Sequence, residues 1–152
     1  MKLSTRGRYG LKAMFDLALH EGSDPIPLKL IAERQNISDQ YLEQIFSTLK
    51  KAELVRSVRG AQGGYFLYKK PNEITVGNIL RALEGNLKIT NCQMDEDLCE
   101  NYKSCATKGV WTRLQKSMEE VVDSITLQDM VDDYIEGTNE HVNDITEDLI
   151  KH

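Results

Sequence analysis

The chain has 152 residues and a formal net charge of −5, and three of its residues are cysteines. This length is enough to bury one good core and a smaller appendage. An odd cysteine count argues against a disulfide framework, and the charged N-terminus has no apolar stretch behind it as a secretory signal would. No run approaches the roughly 20 apolar residues of a membrane span. We therefore predict a cytoplasmic protein with no membrane partner.

The charge is divided unevenly along the chain. Residues 1–70 hold 12 Lys and Arg against 7 Asp and Glu, and residues 71–152 hold 7 against 17. A basic half joined to an acidic half indicates one module that meets phosphate and another that does not. Chance segregation of charge on a solvated surface is the alternative.

The N-terminal half is predicted to be mostly helical. A first helix is predicted over about residues 4–21, with the serine at its start as N-cap, and the proline-containing segment 24–27 breaks it. A second, short helix is predicted over residues 28–35, with Asn36 as a left-handed turn residue. A third helix follows over about residues 38–52, again with a serine as N-cap.

The second and third helices, joined by a tight turn, resemble a helix-turn-helix. The outward face of the third helix suits base edges, because Gln can pair with adenine and Glu can accept a hydrogen bond from the cytosine amino group. The polar residues of this face are Gln40, Glu43, Gln44 and Ser47. Any soluble helix has a polar face, so this pattern alone is only moderately specific.

A glycine-rich hairpin is predicted directly after the helix-turn-helix. Two β-prone runs, residues 54–58 and 65–68, flank the tip sequence RGAQGG and place Arg56 and Arg59 beside the turn. In this position a hairpin is a wing, whose glycines permit unusual dihedral angles and whose Arg59 can enter a narrow minor groove. A nucleotide-binding phosphate loop is the rival interpretation, but the tip lacks a Gly-Lys-Ser/Thr ending and a strand follows it.

The C-terminal half is predicted to be helical around a loop. Thr75 can cap a short helix over residues 76–83 that Gly85 ends. After the loop, a long amphipathic helix is predicted over residues 108–124. Its apolar stripe is Val110, Trp111, Leu114, Met118, Val121 and Val122. The stripe is too long to hide at the edge of a small domain, so we interpret the helix as a dimerisation helix, with a monomeric core helix as the alternative.

The end of the chain is predicted to be less regular. Thr126 and Asp129 have the spacing of a cap for one further short turn of helix. The tail from Gly137 is polar and acidic, and we expect it to be poorly ordered and flexible.

Cys92, Cys99 and Cys105 lie within fourteen residues, in a polar and acidic run that predicts an exposed loop. Three thiolates on one loop suit a transition metal or an iron–sulfur cluster, because soft ligands select such metals. Neither gap matches the two-residue spacing usual in ferredoxin and zinc sites. On the residues alone, zinc with a fourth ligand, a thiol redox switch and three inert cysteines stay open beside the cluster.

Four segments together resemble a known family of regulators. They are KLSTRGRYGLKAM at the start, SDQYLEQIFSTLKKAELV in the helix-turn-helix, RSVRGAQGGYFL in the wing and ITVGNILRALEG after it. Across about residues 1–130 they are similar to winged-helix regulators of the IscR type, in the Rrf2 superfamily. The resemblance implies a homodimeric bacterial transcription regulator that binds double-stranded promoter DNA.

The same resemblance implies which residues carry the function. The family's cluster falls on Cys92, Cys99 and Cys105, with 2Fe–2S favoured over 4Fe–4S and with iron–sulfur assembly proteins as cluster donors. Together with the chemistry of the hairpin, the resemblance places the DNA contacts on Ser38, Gln40, Tyr41, Glu43, Gln44, Arg56, Arg59, Gly60, Gly63 and Gly64.

The fourth cluster ligand stays open. The best-known member of the family has a histidine where this chain has Lys108, and other relatives use a carboxylate near the N-terminus, where this chain has Arg8. The first gap between the cysteines is also one residue longer than the family pattern. The candidates for the fourth ligand are Asp95, Asp97, Glu100, His141 and a small molecule.

The predicted fold is mainly α with a small β wing: a winged helix-turn-helix DNA-binding domain plus a long dimerisation helix. The predicted divisions are a DNA-binding domain (1–85), a cysteine loop (86–107), a dimerisation helix with a short following helix (108–136) and an acidic, flexible tail (137–152).

The predicted function is a DNA-binding regulator, not an enzyme, that senses iron–sulfur cluster, iron or redox status through its loop cysteines. The alternative within the same fold is a regulator of cysteine or sulfur metabolism, controlled by a partner protein or by thiol oxidation and without a cluster. An electron carrier or redox enzyme is the rival from another class, but the sequence shows no nucleophile pair and no nucleotide-binding motif, and such a protein has no need of a wing.

Overall fold

The computed structural model describes residues 3–90 and 103–150, with side chains to residue 140. Within these ranges the chain forms six α-helices and one two-stranded antiparallel sheet, which confirms the mainly α fold with a β wing. The helices are α1 (Thr5–Leu19), α2 (Leu28–Gln35), α3 (Asp39–Lys51), α4 (Val76–Glu84), α5 (Lys108–Ser124) and α6 (Leu127–Ile150), and the strands are β1 (Val55–Val58) and β2 (Gly64–Leu67). Among the described helices, none has the length and apolar character that a membrane span requires.

The helix-turn-helix forms where capping residues start and stop its helices. The Ser38 hydroxyl accepts a hydrogen bond from the backbone N–H of Tyr41 (3.3 Å), as the N-cap of α3. α2 ends on Asn36 in the left-handed conformation (φ 53°), and the N–H of Ile37 donates to the carbonyl of Ala32 (3.0 Å). Asn is one of the few residues with a side chain that adopt this conformation readily, so it suits the turn.

The wing is fastened to the segment that leads into α2. β1 and β2 pair in antiparallel register, with Val55 opposite Leu67. In addition, Ile26 and Tyr65 exchange two backbone hydrogen bonds, of 3.0 and 2.8 Å. A Cβ added at Gly64 would overlap the backbone carbonyl of Ile26, so this close approach requires glycine. The wing is therefore held at a fixed distance from the helix-turn-helix.

One hydrophobic core joins α1, α2, α3, α4 and the start of α6. Leu127 and Val131 of α6 belong to this core, so the C-terminal helix packs against the N-terminal half. The largest fully buried apolar side chains are Met14, Leu17, Ile31, Leu42, Ile45, Phe46, Leu49, Ile74, Ile79 and Leu127. A second, smaller cluster of Val76, Leu80 and Leu87 packs against Met118 and Val122 of α5.

The C-terminal helix is longer than the sequence predicted. We predicted one short turn after Thr126 and a flexible tail from Gly137, whereas α6 runs to Ile150. The predicted cap is confirmed, because Thr126 and Asp129 exchange side chain–backbone hydrogen bonds of 2.8 and 3.1 Å. Acidic side chains make a segment hydrophilic without breaking a helix, and the apolar residues at the start of α6 anchor it to the core. Composition alone therefore misjudged this segment.

Candidate nucleic-acid interface and cysteine site

The predicted base-reading residues of α3 lie together on its solvent-facing side. The exposed residues at the start and along this side are Ser38, Gln40, Glu43 and Gln44. The opposite side of α3 is buried in the core through Leu42, Ile45, Phe46 and Leu49. Because the buried side fixes the helix, the polar side presents amide and carboxylate groups from a rigid support. This arrangement suits insertion of α3 into a major groove.

Contacts with α1 hold α3 in place. Tyr41 is half-buried, and its ring packs edge-on against that of Tyr9, with 6.0 Å between the ring centroids. Arg6, also on α1, donates a hydrogen bond to the hydroxyl of Thr48 on α3. The sequence did not single out Arg6, because its role depends on a contact between two separate helices.

The wing exposes both predicted arginines. Arg59 lies at the tip and is exposed. Arg56 is exposed on β1, and its guanidinium lies 4.3 Å from the ring centroid of Phe66, which restrains its direction. The two arginines therefore differ in freedom: Arg56 is held against the strand, whereas Arg59 extends from the turn.

The wing glycines that were predicted to contact DNA are also required by the conformation of the wing itself. Gly60 has a φ of 113°, a conformation that residues with a Cβ rarely adopt. A Cβ added at Gly63 would overlap the carbonyl oxygen of Val58 across the turn, and Gly64 lies against the segment before α2. These glycines shape the wing, and their contact with DNA stays a prediction.

An open cleft of about 600 Å³ separates the wing from the start of α2. Lys29 of α2, Glu43 of α3 and Arg59 of the wing all line it, together with Tyr65. The Tyr65 ring packs edge-on against Phe46, with 4.7 Å between centroids. Burial and the nearby Glu43 carboxylate raise the pKa of the Tyr65 phenol. Neither Lys29 nor Tyr65 was predicted as a site residue, because only the folded wing brings them together.

Of the three cysteines, Cys105 lies in the described part of the chain, three residues before the first residue of α5. Its Sγ atom is 3.3 Å from the hydroxyl of Thr107. Hydrogen bonds from the Thr107 side chain and from the backbone N–H groups of Thr107 and Lys108 lower the pKa of the Cys105 thiol, with a contribution from the Lys108 charge. The thiolate is both the metal-binding and the oxidisable form of cysteine, so Cys105 is chemically suited to either role.

The rest of the predicted cluster site lies outside the described residues. This applies to Cys92 and Cys99, to the candidate fourth ligands Asp95, Asp97 and Glu100, and to the side chain of His141. Within the described residues, no group of three or more His, Cys, Asp or Glu could hold a metal ion. The ligand set therefore stays a prediction.

Helix α5, which follows the cysteine-containing segment, is tied by two contacts to α4 and to the segment that follows α4. The buried side chain of Gln115 accepts a hydrogen bond from the backbone N–H of Ile89 (3.1 Å) and donates one to Glu119 (2.7 Å). Farther along α5, Asp123 forms a two-bonded ion pair with Arg81 of α4, of 2.6 and 2.9 Å. The Arg81 guanidinium lowers the pKa of the Asp123 carboxyl. Both contacts fix α5 relative to α4 and to the segment that enters the loop.

The apolar stripe of α5 is only partly covered. Met118 and Val122 pack against the smaller cluster. Val110, Leu114 and Val121, in contrast, are 52%, 48% and 56% exposed. A row of exposed apolar side chains at helical spacing is typical of a contact surface. The predicted dimerisation face is thus uncovered in the single chain.

The sequence is similar to a family of regulators over most of its length. The pattern of the Rrf2 family, described as an iron-dependent transcriptional regulator, matches residues 3–133. The HTH-type transcriptional regulator IscR of Sodalis glossinidius (strain morsitans) is 42% identical over 147 residues, which cover 97% of this chain and 85% of that protein. The HTH-type transcriptional regulator CymR of Bacillus subtilis (strain 168) is 44% identical over 140 residues, which cover 92% of this chain and 96% of that protein.

The solved structures that resemble this chain also include both an IscR and a CymR. T. potens IscR has a TM-score of 0.74 and 52% identity, covering 90% of both chains. CymR of B. subtilis, described as its global cysteine regulator, has a TM-score of 0.73 and 43% identity, covering 87% of this chain and 97% of that one. The overall likeness to IscR and to CymR is therefore nearly equal.

Proposed function

Since the chain belongs to the Rrf2 family of DNA-binding transcription regulators, we propose that it is a homodimer whose DNA affinity responds to an iron–sulfur cluster on Cys92, Cys99 and Cys105. The named relatives are transcriptional regulators, so the chain is a regulator and not an enzyme. We place it in the bacterial cytoplasm, where thiols stay reduced.

The DNA-binding mode rests on the exposed side of α3 and on the wing. α3 enters the major groove with Gln40 and Gln44 toward base edges, and Arg59 enters the adjacent minor groove. In a homodimer, two such units bind successive major grooves of a palindromic promoter site. Glu43 discriminates between sites, because an unpaired carboxylate close to phosphates is costly unless a cytosine amino group donates to it.

The observation that carries the sensor role is the cysteine loop itself. Its three thiols lie within fourteen residues, and hydrogen bonds from Thr107 and Lys108 lower the pKa of the one that the structure describes, Cys105. The proposed cluster is 2Fe–2S in preference to 4Fe–4S, and iron–sulfur assembly proteins would deliver it. Because the occupancy and oxidation state of such a cluster depend on iron supply and oxidants, it would report both to the protein. Through Gln115 and Arg81, α5 is the route by which a change in the loop reaches the DNA-binding half.

Anaerobic purification followed by promoter binding tests this proposal. We expect a coloured protein with visible absorption, whose DNA affinity changes when the cluster is removed. Cys105→Ala should lose the colour while its far-UV circular dichroism stays that of the wild type. A colourless wild-type protein from iron-replete cells, with the same DNA affinity before and after reconstitution, would contradict the cluster.

A second function is favoured by the CymR relatives and by the lowered pKa of the Cys105 thiol, which eases its oxidation. In it, the protein regulates cysteine or sulfur metabolism without a cluster, through thiol oxidation or a partner protein. Peroxide treatment of the metal-free protein separates the two functions. A change in DNA affinity that Cys105→Ser abolishes and Cys92→Ser/Cys99→Ser retains supports the second function, whereas colour that requires all three cysteines supports the first.

A further inference from the structure

The cleft between α2 and the wing holds an exposed cation that the predicted DNA contacts do not include. Lys29 lies near the start of α2, on the wall of the cleft that faces the wing. Arg59 and Ser57 line the wing side, and Glu43 lines the cleft from α3. Two cations, a hydroxyl and one carboxylate thus line the same cleft, which is open to solvent.

The walls of this cleft are held at a fixed spacing. The backbone hydrogen bonds between Ile26 and Tyr65 join the two sides at its base, and Gly64 lets the chains approach closely. The ring contact between Tyr65 and Phe46 joins the wing to the buried side of α3. A group that enters the cleft therefore meets walls whose spacing is set before binding.

The path of bound DNA crosses this cleft. If α3 lies in the major groove and the wing tip in the adjacent minor groove, the sugar–phosphate strand that divides the two grooves must pass between them. That strand brings phosphates toward the Glu43 carboxylate, which repels them. Of the two cations that line the cleft, Arg59 is assigned to the minor groove in the proposed mode, which leaves Lys29 to offset this repulsion.

We propose that Lys29 binds a backbone phosphate in this cleft, as a sequence-independent contact that offsets the repulsion between the DNA strand and Glu43. The inference rests on the proposed DNA-binding mode and assigns separate roles to Lys29 and Glu43. Lys29 raises the affinity for every DNA sequence equally, because phosphates carry no sequence information. Glu43 sets the ranking of sequences.

Lys29→Ala is the direct test, with binding measured on a cognate promoter and on scrambled DNA over a range of salt. We expect weaker binding to both by the same factor. The slope of log affinity against log salt should fall by about 0.9 per bound protomer, so the wild-type advantage shrinks by about 3.5-fold per protomer between 50 and 200 mM salt. Lys29→Arg should retain the wild-type slope.

Lys116→Ala is the matched control, since it removes a lysine that is 78% exposed on α5 and far in sequence from the cleft. It should leave the salt slope unchanged. Glu43→Ala should reorder the preferred sequences, whereas Lys29→Ala should keep their order. An unchanged salt slope in Lys29→Ala, or a loss confined to the cognate sequence, would overturn the phosphate role.

Failure of the DNA-binding mode itself has a different signature. Arg59→Ala and Gln44→Ala test that mode without involving Lys29. If neither weakens binding, the proposed mode is wrong and the inference about Lys29 falls with it. If both weaken binding while Lys29→Ala does not, the mode stands and the phosphate contact alone is refuted.

Discussion

Asp16 is a charged residue inside the core, with 1% of its side chain exposed. Its carboxylate accepts hydrogen bonds from Arg34, the shortest of them 2.6 Å, and from Gln35 (2.9 Å), so it links α1 to the end of α2. Buried carboxylates are tolerated when they are paired and hydrogen-bonded in this way. This role is not visible in the sequence, because Asp16 lies within an otherwise apolar helix face and Arg34 and Gln35 come from another helix.

Asp16→Asn should therefore destabilise the protein although it preserves the shape of the side chain. The variant leaves the Arg34 guanidinium without its counter-charge, and because that group is 33% exposed we expect a loss of about 2 kcal/mol, below the range for fully buried pairs. Urea denaturation measures it, with Glu33→Gln, a charge removal on the exposed surface of α2, as the control. Equal midpoints for the wild type and Asp16→Asn would show that the pair contributes no net stability.

At the scale of the elements, most helix bounds could be predicted from residues close to them in the sequence. α2 and α5 have the predicted bounds, and α4 starts after its predicted cap, because caps, turn residues and apolar periodicity are written in the adjacent sequence. The cleft residues Lys29 and Tyr65 were missed because their meeting depends on the pairing of Ile26 with β2, which no local pattern encodes. α6 was underestimated since its anchoring depends on a core assembled by other helices.

The end of α3 offers a test of helix termination. Glu53 follows the helix in the left-handed conformation (φ 56°), and the N–H of Leu54 donates to the carbonyl of Leu49 (3.0 Å). In this conformation a residue with a Cβ destabilises the folded state by about 1–2 kcal/mol. Glycine avoids this strain but loses more conformational entropy on folding, which offsets part of the gain. Glu53→Gly should therefore stabilise the protein by about 0.5–1 kcal/mol and raise its thermal midpoint by about 1–4 °C.

Glu53→Ala separates the backbone effect from loss of the charge. Alanine keeps a Cβ, so it should leave the midpoint close to that of the wild type. Equal stabilisation by Ala and Gly would assign the gain to the removed carboxylate, not to relief of the left-handed conformation.

At the scale of the whole molecule, the two halves of the charge distribution are joined and not independent. The basic half contains α3 and the wing, and the acidic half contains α5 and α6. Yet Leu127 lies in the core of the basic half, and Tyr134 of α6 packs edge-on against Phe15 of α1, with 5.4 Å between the ring centroids. The acidic helices therefore present their exposed apolar residues from a support that the DNA-binding half provides. In the proposed dimer, a contact through these residues would set the spacing of the two copies of α3.

Leu114→Glu tests whether the exposed row on α5 is the dimer contact. Leu114 is 48% exposed, so a charge there should cost the single chain little, whereas in a dimer it would be buried without a partner. We expect the wild type at twice the 17.3 kDa chain mass and the variant at the monomer mass, with at least about tenfold weaker promoter binding because the two half-sites are no longer bound together.

Thr112→Glu is the matched control, because it adds the same charge to the opposite side of α5, four residues before Lys116, where it forms a favourable helical pair. It should keep the dimer mass and the promoter affinity. A dimer that survives Leu114→Glu would place the contact elsewhere, and a dimer lost in both variants would show that α5 tolerates no added acid. Only a dimer that is lost in Leu114→Glu and kept in Thr112→Glu assigns the interface to the apolar row of α5. That interface would then determine the distance between the two copies of α3.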